Sequence, residues 1–341
     1  MPPCAQGMDP DLLSRLQAYG DESTPTVHGI AVIRHGYLVW EHYHHGFHRG
    51  SYHSVNSITK SVVSALVGIA LREGLIDSID RRLVELLPEY ADILAAPLKQ
   101  AITLRHLLSM TSGFPRLPIE DFPHRDHLVE AALARPLAHL PGEVFQYDDA
   151  NAHLVSAILT RVTGMSTAAF AERAIFRPLG IRADNATRAI QEGQCGPHTS
   201  HPFGLWSDDR DGCAWMVDRR GLHIGGFGLH LTLREMAAFG YLYLHGGRWD
   251  ENSIVPPEYV RASTRPQSSG DGIQCGYFWW VPRHQLDPSA FFASGYGGQY
   301  IDILPALDVV IAIACSLDQG SMETHGQTVS RLVAAAILDH R

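Results

Sequence analysis

Apolar and polar positions follow two periods along this chain, and the longest apolar run begins just after Ser57. From Lys60 onward the segment KSVVSALVGIALREG is apolar on nearly every side, which is typical of a helix buried in a protein core. Gly74 supplies a stop signal for that run. The helical pattern resumes beyond it, so the sequence predicts mainly helix over 57–88.

Other helices are predicted where apolar residues recur every three or four positions. They are expected at 11–19, from Thr103 to a stop at Gly113, and at 150–163, 167–176, 232–245 and 328–340. One of these starts carries a strong signal, because Thr232 is followed three residues later by Glu235, the spacing of a capping box.

Strands are predicted near both ends of the chain. Apolar runs over 28–45 flank Arg34-His35-Gly36, a hairpin pattern, and further strands are expected at 276–282, 298–304 and 309–315. Because helices fill the middle, we expect an α/β fold of the α+β type, in which N- and C-terminal strands build one central antiparallel sheet flanked by helices. Residues 1–341 are predicted to form a single unit, with the sheet region at about 20–56 and 270–341 and a mostly helical lobe inserted at about 75–265. A site between the two would lie in a cleft.

Composition narrows the classes of partner. The chain of 341 residues is 45% hydrophobic and 18% charged, as in ordinary soluble globular proteins, and its formal net charge is −9. The negative charge argues against a nucleic-acid partner, and no apolar run approaches the roughly 18 residues of a membrane helix. The N-terminus lacks the pattern of a secretory signal, and five cysteines without a C-x-x-C pair suggest free thiols in a reducing compartment. We therefore expect a cytoplasmic protein.

The two lysines of this chain are the first candidates for a catalytic role. Of the 27 Lys and Arg residues only Lys60 and Lys99 are lysines, so arginine is the usual cation of this chain. An ammonium group can lose its proton when desolvated, whereas a guanidinium stays charged. Ser57 lies three residues before Lys60, which places hydroxyl and amine on one helical face. The pair has the arrangement of a nucleophile beside its base.

Other patterns are weaker. The histidines at 42, 44, 45, 48 and 53 lack an H-E-x-x-H motif and a carboxylate at helical spacing, so a polar loop is favoured over a metal site and no metal is expected. No G-x-S-x-G elbow is present, and Gly225-Gly226-Phe227-Gly228 lacks the dinucleotide spacing. Irregular residues 192–228 are expected to form loops around the cleft. Within them Trp206, Trp215 and His223 would either line the cleft or pack.

Three segments, Ser57 to Lys60, FQYDDAN at 145–151 and ASGYGGQ at 293–299, occur in an order that resembles the serine hydrolase family of class C β-lactamases, DD-peptidases and related esterases and nylon-oligomer hydrolases. The resemblance spans about residues 25–335 and includes the phrases TLRHLLSMTSGF, PLGI and GGFGLHLT. It implies a β-lactamase/transpeptidase-like fold and no cofactor. It also implies that Ser57 is the nucleophile, Lys60 the neighbouring base and Tyr147 the tyrosine of the second motif.

Two departures from the family pattern affect the expected site. Asp149 stands where the family has asparagine; its carboxylate could hold Lys60 charged, which would favour Tyr147 as the base, while Asn151 could take over the amide's role. Nearby cations are expected to push Tyr147 toward phenolate and burial to discharge Lys60, so either group remains open as the acylation base.

In the third motif Ala293-Ser294-Gly295 aligns with K-T-G, and no cation is present to grip a substrate carboxylate. Ser294, Gly295, Tyr296 and Gly297 are expected to contact substrate. An amide near Tyr296 together with that of Ser57 is expected to form the oxyanion hole.

The sequence thus predicts hydrolysis of a small ester or amide through an acyl-enzyme on Ser57. Activity of the β-lactamase or DD-peptidase kind is a second hypothesis. The missing cation in the third motif and the missing secretory signal argue against it. An acyl transferase or a non-catalytic binding protein of the same fold also remains open. The oligomeric state is not predicted.

Overall fold

The computed structural model describes residues 1–23, 27–119, 122, 125–181, 206–207, 214–270, 272–282, 287–316 and 324–338. Within them the α-helices are α1 (Pro10–Glu22), α2 (Ile58–Arg72), α3 (Leu83–Leu86), α4 (Leu104–Leu108), α5 (Leu128–Ala134), α6 (Asp149–Thr163), α7 (Thr167–Ala171), α8 (Leu233–Leu244), α9 (Pro257–Ser263) and α10 (Thr324–Ala335). The strands are β1 (Val27–Arg34), β2 (Tyr37–Tyr43), β3 (Tyr52–Ser54), β4 (Trp206–Ser207), β5 (His230–Thr232), β6 (Arg248–Trp249), β7 (Asn252–Ser253), β8 (Ser268–Gly270), β9 (Ile273–Cys275), β10 (Trp280–Val281), β11 (Phe291–Gly295), β12 (Gln299–Leu304) and β13 (Val309–Cys315).

The main sheet joins the two ends of the chain, as predicted. Its strands run antiparallel in the order β2-β1-β13-β12-β11-β10-β9-β8. N-terminal β1 pairs with C-terminal β13, with Ile30 opposite Ile313. The predicted hairpin is β1–β2, which turns at His35-Gly36. The α/β class with a large antiparallel sheet and flanking helices is confirmed.

Strand β13 explains why helices cover both faces of this sheet. All of its residues are buried, and alternate residues enter two different cores. Ala312 belongs to the core shared with α2, α8 and the helical region, while Ile311 belongs to the core shared with α1 and α10. Helix α8 lies close to the sheet at Gly240, where an added Cβ would come within 2.6 Å of Ile301 and Val310.

Several predicted elements have different bounds in the structure. The pattern over 57–88 breaks after Arg72, where Gly74 adopts a φ of +70°, and only the short α3 follows. Helix α4 ends at Leu108, well before Gly113. A turn closed by the bond from Gly276 N to Trp279 O leaves only β10 of the strand predicted at 276–282.

The remaining differences concern the helical region and the C-terminus. Over 167–176 the α-helix gives way to a π-helical turn at Glu172–Phe176, and the last helix begins at Thr324 instead of 328. Helix α8 falls inside the range predicted for the helical lobe, 75–265, yet it packs on β1, β12 and β13 because its apolar face covers the sheet.

Within the described residues no single helix has the length and apolarity needed to cross a membrane. The segments Asp149–Thr163 and Thr167–Phe176 meet those criteria only when they are taken together as one pair bent by 73°.

Candidate active site

The first turn of α2 brings Ser57 and Lys60 together, as the i, i+3 spacing predicts. Ser57 is the N-cap residue of the helix, and the Lys60 Nζ atom donates a hydrogen bond to Ser57 Oγ at 2.9 Å. Lys60 is 3% exposed. The apolar run that follows buries α2 in the larger core, so the pair is held by a rigid element.

Lys60 has a full set of acceptors. Besides Ser57 Oγ, its Nζ donates to Asp149 Oδ1 at 2.6 Å and to the carbonyl oxygen of Gly226 at 2.7 Å. An ammonium group has three N–H donors, and the three acceptors use them all. Burial alone would lower the pKa of Lys60, but the Asp149 carboxylate and the neighbouring Tyr147 oxygen outweigh burial, and the pKa is raised. The expectation that burial discharges Lys60 is therefore wrong, and the expectation that Asp149 holds it charged agrees with the geometry.

Tyr147 reaches the serine from the other side. Its hydroxyl donates to Ser57 Oγ at 2.7 Å, and Lys60 Nζ lies 4.8 Å from the centre of its ring. The ring also stacks on Trp280, with centroids 6.0 Å apart and planes 10° apart. Burial raises the pKa of Tyr147, and the opposing charge of Lys60 does not reverse the direction because Asp149 adds to the rise. The resting phenol is thus protonated at neutral pH, contrary to the expected push toward phenolate.

The start of α6 places the second motif. The Asp148 side chain caps that helix at Ala150 N and also forms an ion pair with Arg135 at 2.9 Å. With Asp148 fixed as the cap, Tyr147 before it points to Ser57 and Asp149 after it points to Lys60.

Asn151 lies one layer behind the site. Its side-chain oxygen accepts a hydrogen bond from Ser112 Oγ at 2.9 Å, and its Nδ2 lies 3.7 Å from Met110 Sδ. The structure therefore does not bring Asn151 to Ser57 or Lys60, and the place of the family's amide is taken by the Asp149 carboxylate.

The third motif lies on β11 beside the start of α2. An added Cβ on Gly295 would come within 2.1 Å of the Val55 carbonyl oxygen, so this glycine permits a close approach to the protein's own backbone. Asn56 Nδ2 donates to the carbonyl oxygen of Tyr296 at 2.7 Å, which holds the residue before Ser57 against the end of β11. Ser294 lines the pocket, Tyr296 is 41% exposed and Gly297 turns with a φ of +85°.

The pocket above Ser57 is mainly apolar. It is lined by Ser57, Lys60, Ser61, Met110, Tyr147, Cys275, Phe278, Trp280 and Ser294. Among these described lining residues Lys60 is the one cation, and its donors are committed to protein acceptors. No second cation faces the pocket from these described lining residues.

Sequence reasoning missed three contributors to the site. The Gly226 carbonyl binds Lys60, Asn56 fixes Tyr296, and Trp280 stacks on Tyr147. The glycine pair in GGFG carried a signal for the first: an added Cβ on Gly225 would come within 2.0 Å of the Ala152 carbonyl, so the pair lets this loop press against α6.

Most other residues noted in the sequence lie elsewhere. Trp215 and His223 are 0% and 3% exposed, and Trp215 donates its indole N–H to the carbonyl oxygen of Ile224, so both pack in the interior. The Trp206 side chain and most of the loop region expected to surround the cleft, 192–205 and 208–213, lie outside the described residues.

The histidines at 42, 44, 45, 48 and 53 lie in different parts of the fold. His53 is buried in β3, His45 and His48 are exposed, and His42 lies in β2 with His44 just after it. The fold brings Asp21 of α1 to the last two, a carboxylate that spacing along the sequence did not reveal.

Comparison with known proteins identifies relatives that match part of this chain. A D-aminopeptidase of Cereibacter sphaeroides is 29% identical over 212 residues, which is 57% of this chain and only 37% of that protein. Esterase EstB of Burkholderia gladioli is 31% identical over 143 residues, 37% of this chain and 36% of the esterase. The chain thus spans little more than a third of either relative.

Solved structures show the same fold. One, provisionally assigned as a 6-aminohexanoate-dimer hydrolase from Bacillus anthracis, superposes with a TM-score of 0.73 at 18% identity, covering 96% of this chain and 81% of that one. The model of the beta-lactamase family matches residues 16–336, nearly the whole sequence. The chain belongs to the beta-lactamase family.

Proposed function

We propose that this protein is a serine hydrolase that cleaves small, uncharged esters or amides through an acyl-enzyme on Ser57. One observation carries the proposal: Ser57 Oγ is hydrogen-bonded at once to Lys60 Nζ and Tyr147 Oη, at 2.9 and 2.7 Å, at the wall of a pocket. A hydroxyl held between a cation and a phenol that can take its proton once ionised has the arrangement that nucleophilic catalysis requires. The esterase and the D-aminopeptidase among the relatives favour the same class of reaction.

Tyr147 is the base in this proposal, because Lys60 donates all three of its protons and its pKa is raised. From the phenolate form, Tyr147 takes the proton of Ser57 while Oγ bonds to the substrate carbonyl carbon. The carbonyl oxygen becomes an oxyanion, which the backbone N–H groups of Ser57 and Tyr296 receive. Lys60 stays charged and stabilises the phenolate and the developing negative charge on Oγ.

Collapse of the intermediate completes the transfer. Tyr147 gives its proton to the leaving oxygen or nitrogen, the bond to that atom breaks, and the acyl group remains as an ester of Ser57. A water molecule then attacks the ester and gives a proton to Tyr147. Tyr147 returns that proton to Ser57 Oγ as the acid leaves, which regenerates the phenolate form with which the cycle began.

Labelling of the nucleophile tests the assignment. An uncharged fluorophosphonate should leave one adduct on the Ser57 peptide, found by mass spectrometry after digestion. Ser57→Ala should remove both the adduct and the hydrolysis of p-nitrophenyl butyrate. Ser61→Ala is the matched control, because Ser61 also lines the pocket but donates its hydroxyl to the Phe278 carbonyl. Full hydrolysis by the Ser57→Ala variant would overturn the proposal, and so would an adduct on another residue.

The substrate class has a separate test. Among the described lining residues Lys60 is the one cation, so a substrate carboxylate would be desolvated without an ionic partner from them. We expect kcat/KM for p-nitrophenyl butyrate to exceed that for a penicillin by at least about 100-fold, which corresponds to about 2.7 kcal/mol. Equal values would contradict the assignment to uncharged substrates. Product analysis with added hydroxylamine separates hydrolysis from acyl transfer, since a transferase would form the hydroxamate in preference to the acid.

A further inference from the structure

A second group of chemically reactive side chains lies across the sheet from Ser57. Strand β2 carries His42, and His44 follows two positions later. Residues two apart on an extended segment point to the same face of a sheet. His42 is paired with Ile30, which belongs to the core shared with α1 and α10, so both imidazoles lie on the face that α1 covers.

The last turn of α1 adds a carboxylate to these two rings. Asp21 Oδ1 lies 2.8 Å from His44 Nδ1, and one ligand atom each from Asp21, His42 and His44 lies within 4.8 Å of the others. The rings of His42 and His44 are 4.7 Å apart between centroids. Ligands bound to one metal ion at 2.0–2.2 Å lie about 3–4 Å from one another, so small side-chain rotations would bring all three to a common ion.

The surroundings suit a metal ion on one side and water on the other. His44 is 2% exposed and its ring is held in place, with Nε2 facing Gly20 so closely that an added Cβ there would lie 2.1 Å from it. Asp21, in contrast, has a side chain 56% exposed, which leaves a route for an ion from solvent. One fixed ring and two adjustable partners make a partly prepared site.

We propose that Asp21, His42 and His44 bind one divalent first-row transition metal ion, with zinc as the best match. Two imidazoles and one carboxylate are a donor set that zinc and its neighbours accept, with water completing the coordination. The site is separate from the hydrolase centre, because α1 and α2 pack on opposite faces of the sheet. A bound ion would tie the end of α1 to the β1–β2 hairpin, so its effect is on stability and not on the chemistry at Ser57.

Calorimetric titration of the tag-free, chelator-treated full chain with ZnCl2 tests this site. We expect one equivalent to bind, a zinc-dependent rise in melting temperature, and visible absorption of a four- or five-coordinate Co2+ complex when CoCl2 is used instead. His42→Ala and Asp21→Asn, which leave the buried His44 in place, should each weaken zinc binding at least about 10-fold and remove the thermal shift. His48→Ala is the control, since this exposed histidine lies in the loop that follows β2 and does not belong to the group.

The outcomes are distinct. Loss of zinc binding in both variants and its retention in the control would support the site. No saturable binding, or equal binding by His42→Ala, Asp21→Asn and the parent protein, would mean adventitious surface binding only and would overturn it. Hydrolysis of p-nitrophenyl butyrate should be the same with and without zinc, so the result does not depend on the proposed function.

Discussion

The Lys60 ammonium group donates to three different acceptors at one point in space: a hydroxyl, a carboxylate and a backbone carbonyl. A guanidinium is planar and larger, and its donors diverge in a fixed fork. This difference explains why lysine occupies position 60 in a chain whose other cations, apart from Lys99, are arginines.

Lys60→Arg should therefore lower kcat/KM by about 10²–10⁴-fold, because the diverging donors of a guanidinium cannot reach all three acceptors, one of which is Ser57 Oγ. Steady-state hydrolysis of p-nitrophenyl butyrate measures the effect. Lys99→Arg is the control: Lys99 is also buried but donates to the Leu133 carbonyl, away from the pocket, so kcat/KM should stay within about twofold. Equal losses in the two variants would show that replacing any buried lysine lowers kcat/KM, and that the contacts of Lys60 have no special role in catalysis.

The pH profile tests Tyr147 as the base. Burial raises its pKa above 10, so the phenolate is a minor form at neutral pH and its share grows with each increase in pH. The kcat/KM of the free enzyme should thus keep rising from pH 7 to at least pH 10, within the range where the protein stays folded. Tyr147→Phe should lose about 10²–10⁴-fold and lose the rising limb. A plateau that begins near pH 7 would exclude a buried phenol as the base.

At the scale of elements, the site depends on how closely β11 approaches the start of α2. Gly295 makes that approach possible, and the bond from Asn56 to Tyr296 holds it. The two elements lie far apart in sequence, so their contact positions the proposed oxyanion donors relative to Ser57.

Gly295→Ala should separate these elements, because the new Cβ would meet the Val55 carbonyl oxygen at 2.1 Å. We expect a loss of about 1–3 kcal/mol in the free energy of unfolding, measured by urea denaturation, with a fall in kcat/KM of at least about 10-fold. Ser294→Ala only removes an atom from the adjacent residue, so its unfolding free energy should match that of the parent protein. An unchanged stability and activity in Gly295→Ala would show that the strand can shift without consequence.

Sequence patterns predicted the elements better than their contacts. The Thr232/Glu235 capping box, the hairpin at His35-Gly36 and the apolar strand β13 are each set by local periodicity or a local hydrogen bond, and the structure has all three. The proposed catalytic residues could be grouped because their motifs are also local. The Gly226 carbonyl was not predictable, since any residue has a carbonyl and only the fold decides where it points.

The charge state of Tyr147 could not be predicted from the sequence, for a related reason. The sequence showed that Tyr147 would lie near a cation, but not that burial and Asp149 would outweigh that cation. Likewise Asn151 was a candidate for the role of the family's amide, whereas helix α6 directs it to Ser112. The balance of such opposing effects depends on distances that only packing fixes.

At the scale of the whole molecule, buried histidines link stability to pH. Burial lowers the pKa of His28 to about 2 and that of His53 to about 4, from 6.5. In the unfolded chain these two rings take up protons as the pH falls below 6.5, whereas in the folded protein both stay neutral down to pH 5. The free energy of unfolding therefore falls as the pH drops through this range. Each histidine should remove about 2 kcal/mol between pH 7 and pH 5.

Urea denaturation at pH 7 and pH 5 measures this loss. His53→Asn should reduce the difference between the two pH values by about 2 kcal/mol, whatever its own stability at pH 7. The exposed His48, changed to asparagine, should leave the difference as it is in the parent protein. A variant at His53 with the full pH dependence would show that this ring is already protonated in the folded state.

The central sheet also places a constraint on synthesis. Because β1 is paired on one side with β13, that side of β1 remains an open edge until β13 has been synthesised. Helix α2 and Tyr147 emerge from the ribosome long before the strands that complete their surroundings. A polypeptide translated only as far as β10 thus exposes an apolar edge, and its pocket lacks the wall that β11 supplies.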